Sequence, residues 1–214
     1  MINDQMTKLL LSPHYPEKLR LLADPPQVLY YRGDLSLLKK PALAVVGSRQ
    51  ATKYGLKVVK KLIPSLVKAG FTIISGMARG IDAAAHWAAI ESGGQTIAVL
   101  GCGLDVIYPK ENQLLYQKVQ LLLSEFPPGT KPEAKNFPQR NRIIAGLADA
   151  ILVIEAARKS GTMITARYAT EQGKEVFAVP GPITSPQSEG TAWLIQQGAK
   201  LVYQVDDILE ELEI

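Results

Sequence analysis

Short apolar runs alternate along the chain with longer segments in which apolar residues recur every three or four positions. The runs are Ala42–Val46 (ALAVV), Phe71–Ser75 (FTIIS), Thr96–Leu100 (TIAVL), Gln120–Ser124, Ala150–Ile154 (AILVI) and Glu175–Val179. Continuous rather than alternating apolar character predicts strands covered on both faces. Between them, Lys53–Gly70 carries Leu56, Val59, Leu62, Ile63, Leu66 and Val67 at helical spacing, with Pro64 expected to kink or split the helix. Further helices are expected over Ala83–Ser92, with Asp82 as its cap and Gly93-Gly94 at its end, in a short stretch ending near Val119, from Arg140 to Ala148, and up to Gln172 with Gly173 as its stop. Thr191–Gln197 and Asp206–Leu212 read as late helices around a last strand, Lys200–Tyr203. Strand and helix in repeated alternation predict an α/β fold, extended Rossmann-like, with a mostly parallel sheet and helices on both faces.

Residues 1–40 do not follow this rhythm. The breaker Asp24-Pro25-Pro26 precedes Gln27–Arg32 (QVLYYR), an expected extra strand ended by Gly33-Asp34. We expect residues 1–40 to be an extension packing on the core, and 41–214 to form the Rossmann-like domain. Glu125–Gln139 (EFPPGTKPEAKNFPQ) is expected to be a loop, long enough to have a function of its own.

The chemistry concentrates where the strands end. Loops that follow parallel strands leave from one edge of the sheet, where ligands of such folds bind. Here those loops collect Arg49, Arg79, Lys110, Arg140, Arg142, Arg158 and Lys159, with glycines 47, 76, 80, 101, 103 and 161. Arg49 faces an expected helix N-terminus, whose positive end disfavours a cation unless an anion sits beside it. So many cations on one rim exceed the needs of a single phosphate and suit a nucleic-acid backbone. Phe137, before Pro138 and the Arg140/Arg142 pair, is the stronger stacking candidate, and Tyr108 reads equally well as loop packing. The formal net charge is +4, but the last nine residues hold five carboxylates and no Lys or Arg, so residues 1–205 are more basic than the total implies.

Several classes lose support. The turn Gly47-Ser48-Arg49 lacks the glycine triplet of a dinucleotide fingerprint, and Ser75 stands where that fingerprint needs an acid. No GxxxxGK[ST] occurs. Cys102 lies between two glycines and His86 in an alanine-rich helix, so both read as packing or turn residues rather than nucleophile and base. Two histidines and one cysteine make no convincing zinc site, so neither a metal nor a cofactor is expected. No run of about 18 apolar residues indicates a membrane span. The start MINDQMTKLL lacks the pattern of a secretory signal, and a lone cysteine suits a reducing compartment, so we expect a cytoplasmic protein.

Six motifs, in order, closely resemble the DNA-processing protein A (DprA/Smf) family: VVGSR at 45–49, SGMARGIDAAAH at 75–86, LGCGLDVIYPKEN at 100–112, FPQRNRIIAGL at 137–147, EAARKSGTMITA at 155–166 and FAVPG at 177–181. The resemblance implies an extended Rossmann fold without hydride chemistry. It also implies a non-enzymatic protein that binds single-stranded DNA, self-associates and loads RecA recombinase onto incoming DNA in natural transformation. By motif position, the DNA site would comprise Gly47, Ser48, Arg49, Arg79, Lys110, Phe137, Arg140 and Arg142. Gly76, Gly80, Asn112, Asn141, Lys159, Gly161 and Thr162, from the same motifs, complete it. Leu194 and Ile195 on the late helix, with Leu201 after it, would suit a homodimer interface or equally an ordinary core. Many members of that family carry an N-terminal helical domain and a C-terminal winged helix. Only about 40 residues precede the first motif strand in the sequence in hand, so the functions of those modules are not carried over.

Two other readings use the same loops. Rossmann-like phosphoribohydrolases carry PGGxGTxxE; here Gly161-Thr162 is followed by Thr165 at the glutamate position, and Glu171 is a distant substitute. A small-nucleotide sensor would instead saturate with mononucleotides.

Overall fold

The computed structural model describes residues 8–10 and 15–213. The remainder of the expected N-terminal extension, residues 1–7 and 11–14, lies outside the described residues, as does Ile214. Nine strands among the described residues form one sheet: β1 (Lys8–Leu10), β2 (Leu29–Gly33), β3 (Ala42–Val46), β4 (Thr72–Ser75), β5 (Thr96–Leu100), β6 (Leu121–Ser124), β7 (Ala150–Val153), β8 (Glu175–Ala178) and β9 (Lys200–Leu201). Their order is β1-β2-β6-β5-β4-β3-β7-β8-β9. Seven strands from β6 to β9 pair in parallel, and β2 joins β6 antiparallel with Tyr30 opposite Ser124. The expected α/β class with a mostly parallel sheet is what forms, and the expected strand in QVLYYR is β2. Strand β1, which pairs antiparallel with β2, had no counterpart in the sequence reading.

The helices are α1 (Glu17–Arg20), α2 (Lys53–Lys68), α3 (Ile81–Glu91), α4 (Gln113–Lys118), α5 (Asn136–Leu147), α6 (Gly161–Glu171), α7 (Glu189–Gln196) and α8 (Asp206–Leu209). Side chains alternate across a strand, and β3 shows the result. Leu43 and Val45 join the core beneath α2 and α3, whereas Ala42, Ala44 and Val46 join the core beneath α5 and α6. Every residue of β3 is therefore buried, as its unbroken apolar run requires.

Three local expectations change. Of the two expected effects of Pro64, a split does not occur: helix α2 runs through it, and Lys60, whose carbonyl faces a proline nitrogen without a proton, is an exposed residue, where the cost of the missing bond is lowest. Asp82 does not cap α3, whose N-cap is Gly80, and instead accepts the Gly76 N–H at 3.1 Å. Helix α5 starts at Asn136, four residues earlier than expected, so Phe137 is on its first turn and not in a loop. Pro138 did not delay that start because the first N–H groups of a helix need no intrahelical acceptor.

Candidate nucleic-acid interface

The order of β3 between β4 and β7 marks the switch point at which chain connections diverge to the two sides of the sheet, and a crevice opens there. Its cavity of about 620 Å³ is bounded by the β3–α2 loop, the β7–α6 loop and the first turns of α5 and α6. Val46, Gly47, Ser48, Arg49 and Gln50 form one lip, and Ala157, Ser160, Gly161 and Thr162 the other.

Arg49 projects from the first lip and is exposed. Its guanidinium carbon stands 5.1 Å from the centroid of Phe137, and Tyr108 packs on Phe137 with centroids 5.6 Å apart. Phe137 is half-buried, whereas Tyr108 is 42% exposed. Together they form a cation and two tilted rings at the crevice mouth, a surface that attracts phosphate and offers a face to an unpaired base. The lip is held by a close approach at Gly80, whose φ of 72° and lack of a side chain let its backbone pass the Ser48 and Arg49 carbonyls. The Ser48 carbonyl accepts the Ile81 N–H at 3.1 Å.

Beneath this surface lie two buried titratable side chains, Arg140 and Asp82. Arg140 is 3% exposed; its Nη1 donates to the Gly76 carbonyl at 2.6 Å and to the Val99 carbonyl, and its Nε donates to Asn141 Oδ1 at 3.1 Å. Gly76 separates Arg140 from Asp82: a Cβ there would meet Arg140 Nη2 at 2.7 Å and Asp82 Oδ2 at 2.8 Å. Burial pushes the Asp82 carboxyl up, against the pull of Arg140. Burial also lowers Arg140 to about 10, with Asp82 opposing and Arg49 adding to the fall. Arg140 thus supports the floor of the site by joining the Gly76 carbonyl of the β4 loop to the Val99 carbonyl of β5, and does not reach out to solvent.

The residues singled out from sequence divide accordingly. Gly47, Ser48, Arg49, Phe137, Arg140, Asn141, Gly161 and Thr162 all line the crevice. Gly76 and Arg79 join Arg49, Tyr108 and Phe137 around a smaller adjoining cavity. Lys110 and Lys159 are exposed on the neighbouring loops. Arg79 is exposed but ion-paired with Glu111. Asn112 is buried, and its Nδ2 donates at 2.9 Å to the carbonyl of Met77, a residue at φ 60°. It therefore braces the β4–α3 loop.

Arg142 departs from the expected rim. Residues two apart on a helix project to nearly opposite sides, so Arg142 turns away from the Arg140 side of α5. It is held there by Glu125 at 2.5 Å and Asp24 at 3.3 Å, in a separate cavity. Leu194 gives its surface to the core, Ile195 packs partly against it, and only Leu201, 44% exposed, faces outward. Glu171 lies in another groove, of about 690 Å³, between α6, β8 and α7, where it pairs with Arg167. In the same groove Arg158 stacks on Trp193 at 3.9 Å.

Sequence reasoning passed over Glu155 and Asn136. Glu155 is 3% exposed at the end of β7 and accepts two hydrogen bonds from Thr52. Asn136 Nδ2 donates to the Gly101 carbonyl at 3.1 Å, tying α5 to the β5 loop. An acid closing an otherwise apolar strand run was the available signal for Glu155; nothing local marked Asn136.

Comparison with known proteins agrees with this geometry. The chain is 49% identical over 207 residues to the DNA processing protein DprA of Streptococcus pneumoniae, covering 95% of this chain and 73% of that one. It is 48% identical to Protein Smf of Escherichia coli, covering 94% of this chain and 55% of that one. The structure of the Streptococcus pneumoniae protein superposes with a TM-score of 0.92 at 47% identity, covering 97% of this chain and 75% of the other. DNA processing protein A from Helicobacter pylori, in a study of its single-stranded DNA binding mode, superposes with a TM-score of 0.87 at 32% identity, covering 96% and 95%. The family model for DNA recombination-mediator protein A matches residues 7–213. The six motifs, the switch-point crevice and these relatives identify the chain as a member of the DNA recombination-mediator protein A (DprA/Smf) family.

Proposed function

We propose that this protein binds single-stranded DNA in the switch-point crevice, and that it acts as a non-enzymatic, cytoplasmic mediator protecting incoming DNA and loading RecA recombinase in natural transformation. The observation that carries this reading is the exposed Arg49 guanidinium beside the packed, tilted Tyr108 and Phe137 rings. Phosphate contacts supply affinity without sequence information, and stacking favours strands whose bases are unpaired. The Helicobacter pylori relative, studied for its single-stranded DNA binding, supports the same ligand. Self-association would use the surface beside α7 and β9, where Leu201 is exposed.

Anisotropy of a labelled dT oligonucleotide across a salt series tests the reading. Arg49→Glu is expected to weaken binding about tenfold or more for all sequences alike and to flatten the salt dependence. Affinity unchanged in Arg49→Glu refutes the site. Full displacement of the oligonucleotide by a mononucleotide favours a sensor, and release of free base from a nucleoside monophosphate favours a hydrolase.

A further inference from the structure

The lip that carries Arg49 is fastened from the opposite side of the crevice. Helix α2 has no acidic residue in its first turn, and Lys53 at its first position places a cation at the positive end of the helix dipole. The compensating negative charge comes from Glu155, 103 residues further along the chain from Thr52. Its buried carboxylate accepts the Thr52 backbone N–H at 2.9 Å and also the Thr52 hydroxyl. With its proton committed to Glu155, the hydroxyl oxygen is left to accept the Gly55 N–H at 3.2 Å, which is the N-cap bond of α2. Gly55 leaves the room this needs: a Cβ there would run into Glu155, whose Cδ would lie 2.5 Å away. The start of α2 and the end of β7 are therefore one unit, joined across the switch point.

Arg49 stands three residues before Thr52. At its near end the loop is anchored by the Ser48 carbonyl on Ile81 N–H, and Ser48 Oγ accepts the Gln50 N–H at 3.0 Å. At its far end the anchor is Thr52 on Glu155. Between these two points the backbone of the loop, and with it the origin of the Arg49 side chain, has a fixed distance to the β7–α6 lip.

We propose that Glu155 is a positioning residue of the nucleic-acid site. Acting through Thr52, it fixes the Gly47–Thr52 loop against the opposite lip and so sets where the Arg49 guanidinium stands relative to Phe137. Glu155 does not touch the ligand; its oxygens are spent inside the protein. The inference rests on the single-strand reading above, and its test keeps the two apart.

The test measures dT oligonucleotide affinity across a salt series for Glu155→Gln, Arg49→Ala and the double variant, with thermal melting alongside. Glu155→Gln keeps the shape but turns an amide donor towards the Thr52 hydroxyl. The expected result is a loss of roughly three- to tenfold in the single variant. The log–log salt slope falls by about 0.7, one single-strand phosphate contact. In the Arg49→Ala background, Glu155→Gln adds no further loss. A brace that only stabilises α2 would lower affinity by the same factor in both backgrounds, and that outcome overturns the proposal. So does wild-type affinity in Glu155→Gln while Arg49→Ala is impaired, which leaves the single-strand reading standing. If Arg49→Ala binds like the wild type, the single-strand reading fails and takes this inference with it. Should Glu155→Gln not melt cooperatively, Thr52→Val and Thr52→Ser decide. Thr52→Val then shows the Arg49-dependent loss and Thr52→Ser matches the wild type, whereas equal affinity of the two overturns the proposal.

Discussion

Replacing Arg140 by methionine removes a guanidinium that three acceptors depend on: the Gly76 carbonyl, the Val99 carbonyl and Asn141 Oδ1. A buried acceptor left without its donor costs about 1–3 kcal/mol, so the three together put about 6 kcal/mol at stake. Against this, methionine also removes a charge that burial disfavours. The fall of Arg140 from 12.5 to about 10, caused first by burial, corresponds to on the order of 3 kcal/mol. The difference leaves Arg140→Met destabilised by about 3 kcal/mol, or a melting temperature lower by about 6–12 °C for a chain of this size. Arg49→Ala, on an exposed side chain, is expected to stay within about 0.5 kcal/mol of the wild type while losing oligonucleotide affinity. Urea unfolding followed by tryptophan fluorescence, with dT anisotropy on the folded variants, reads both quantities. A wild-type urea midpoint in Arg140→Met, or an equal drop in Arg49→Ala, refutes the division between a supporting arginine and a contacting one.

Stability should fall on acidification because of His86. Its Nδ1 lies 2.6 Å from Thr96 Oγ1, whose hydroxyl donates to the Ile73 carbonyl, so Nδ1 carries the proton and Nε2 stands buried without a partner among the described residues. Burial, aided by Arg140, lowers the imidazole to about 3. The unfolded chain takes up this proton near pH 6.5 and the folded one only near 3, so stability is lost as pH falls through that window, by about 2 kcal/mol between pH 7 and 5. Asp82 acts with the opposite sign, since its raised carboxyl keeps its proton to higher pH when folded. Urea midpoints at the two pH values check the His86 contribution, which His86→Gln should remove. In sedimentation, Leu201→Glu is expected to shift a dimer towards monomer with little change in melting; an unchanged sedimentation coefficient places self-association elsewhere.

The sheet was legible because its central strands are buried on both faces and so appear as unbroken apolar runs; Ala42–Val46 and Thr96–Leu100 match β3 and β5 end to end. Strand β1 was not, because a strand of three residues on an antiparallel edge has too few positions to establish a period. At the site, the cations and glycines of the strand-end loops could be read as one rim because topology alone brings those loops together. What could not be read was the direction of each side chain. Arg140 and Arg142 look equivalent as neighbours in a basic motif, yet helical rotation and burial send one under the floor and the other to Glu125. Glu155 acts on a residue 103 positions away, and no local pattern encodes such a partner.

Helix α5 is buried without a break from Arg140 to Leu147, and in its first turn Asn136 is buried too, donating to the Gly101 carbonyl. Its first turn therefore cannot shift without breaking that bond or moving the rest of the helix, whose last turn packs near Leu19 and Leu22 at Gly146. The Phe137 ring, carried on that turn, already has its orientation set before any ligand arrives. Ordering a side chain on binding costs about 0.5–1.5 kcal/mol, and here folding has largely met that requirement. A base would meet a preorganised surface, so the search for the right geometry falls to the flexible nucleic acid rather than to the protein.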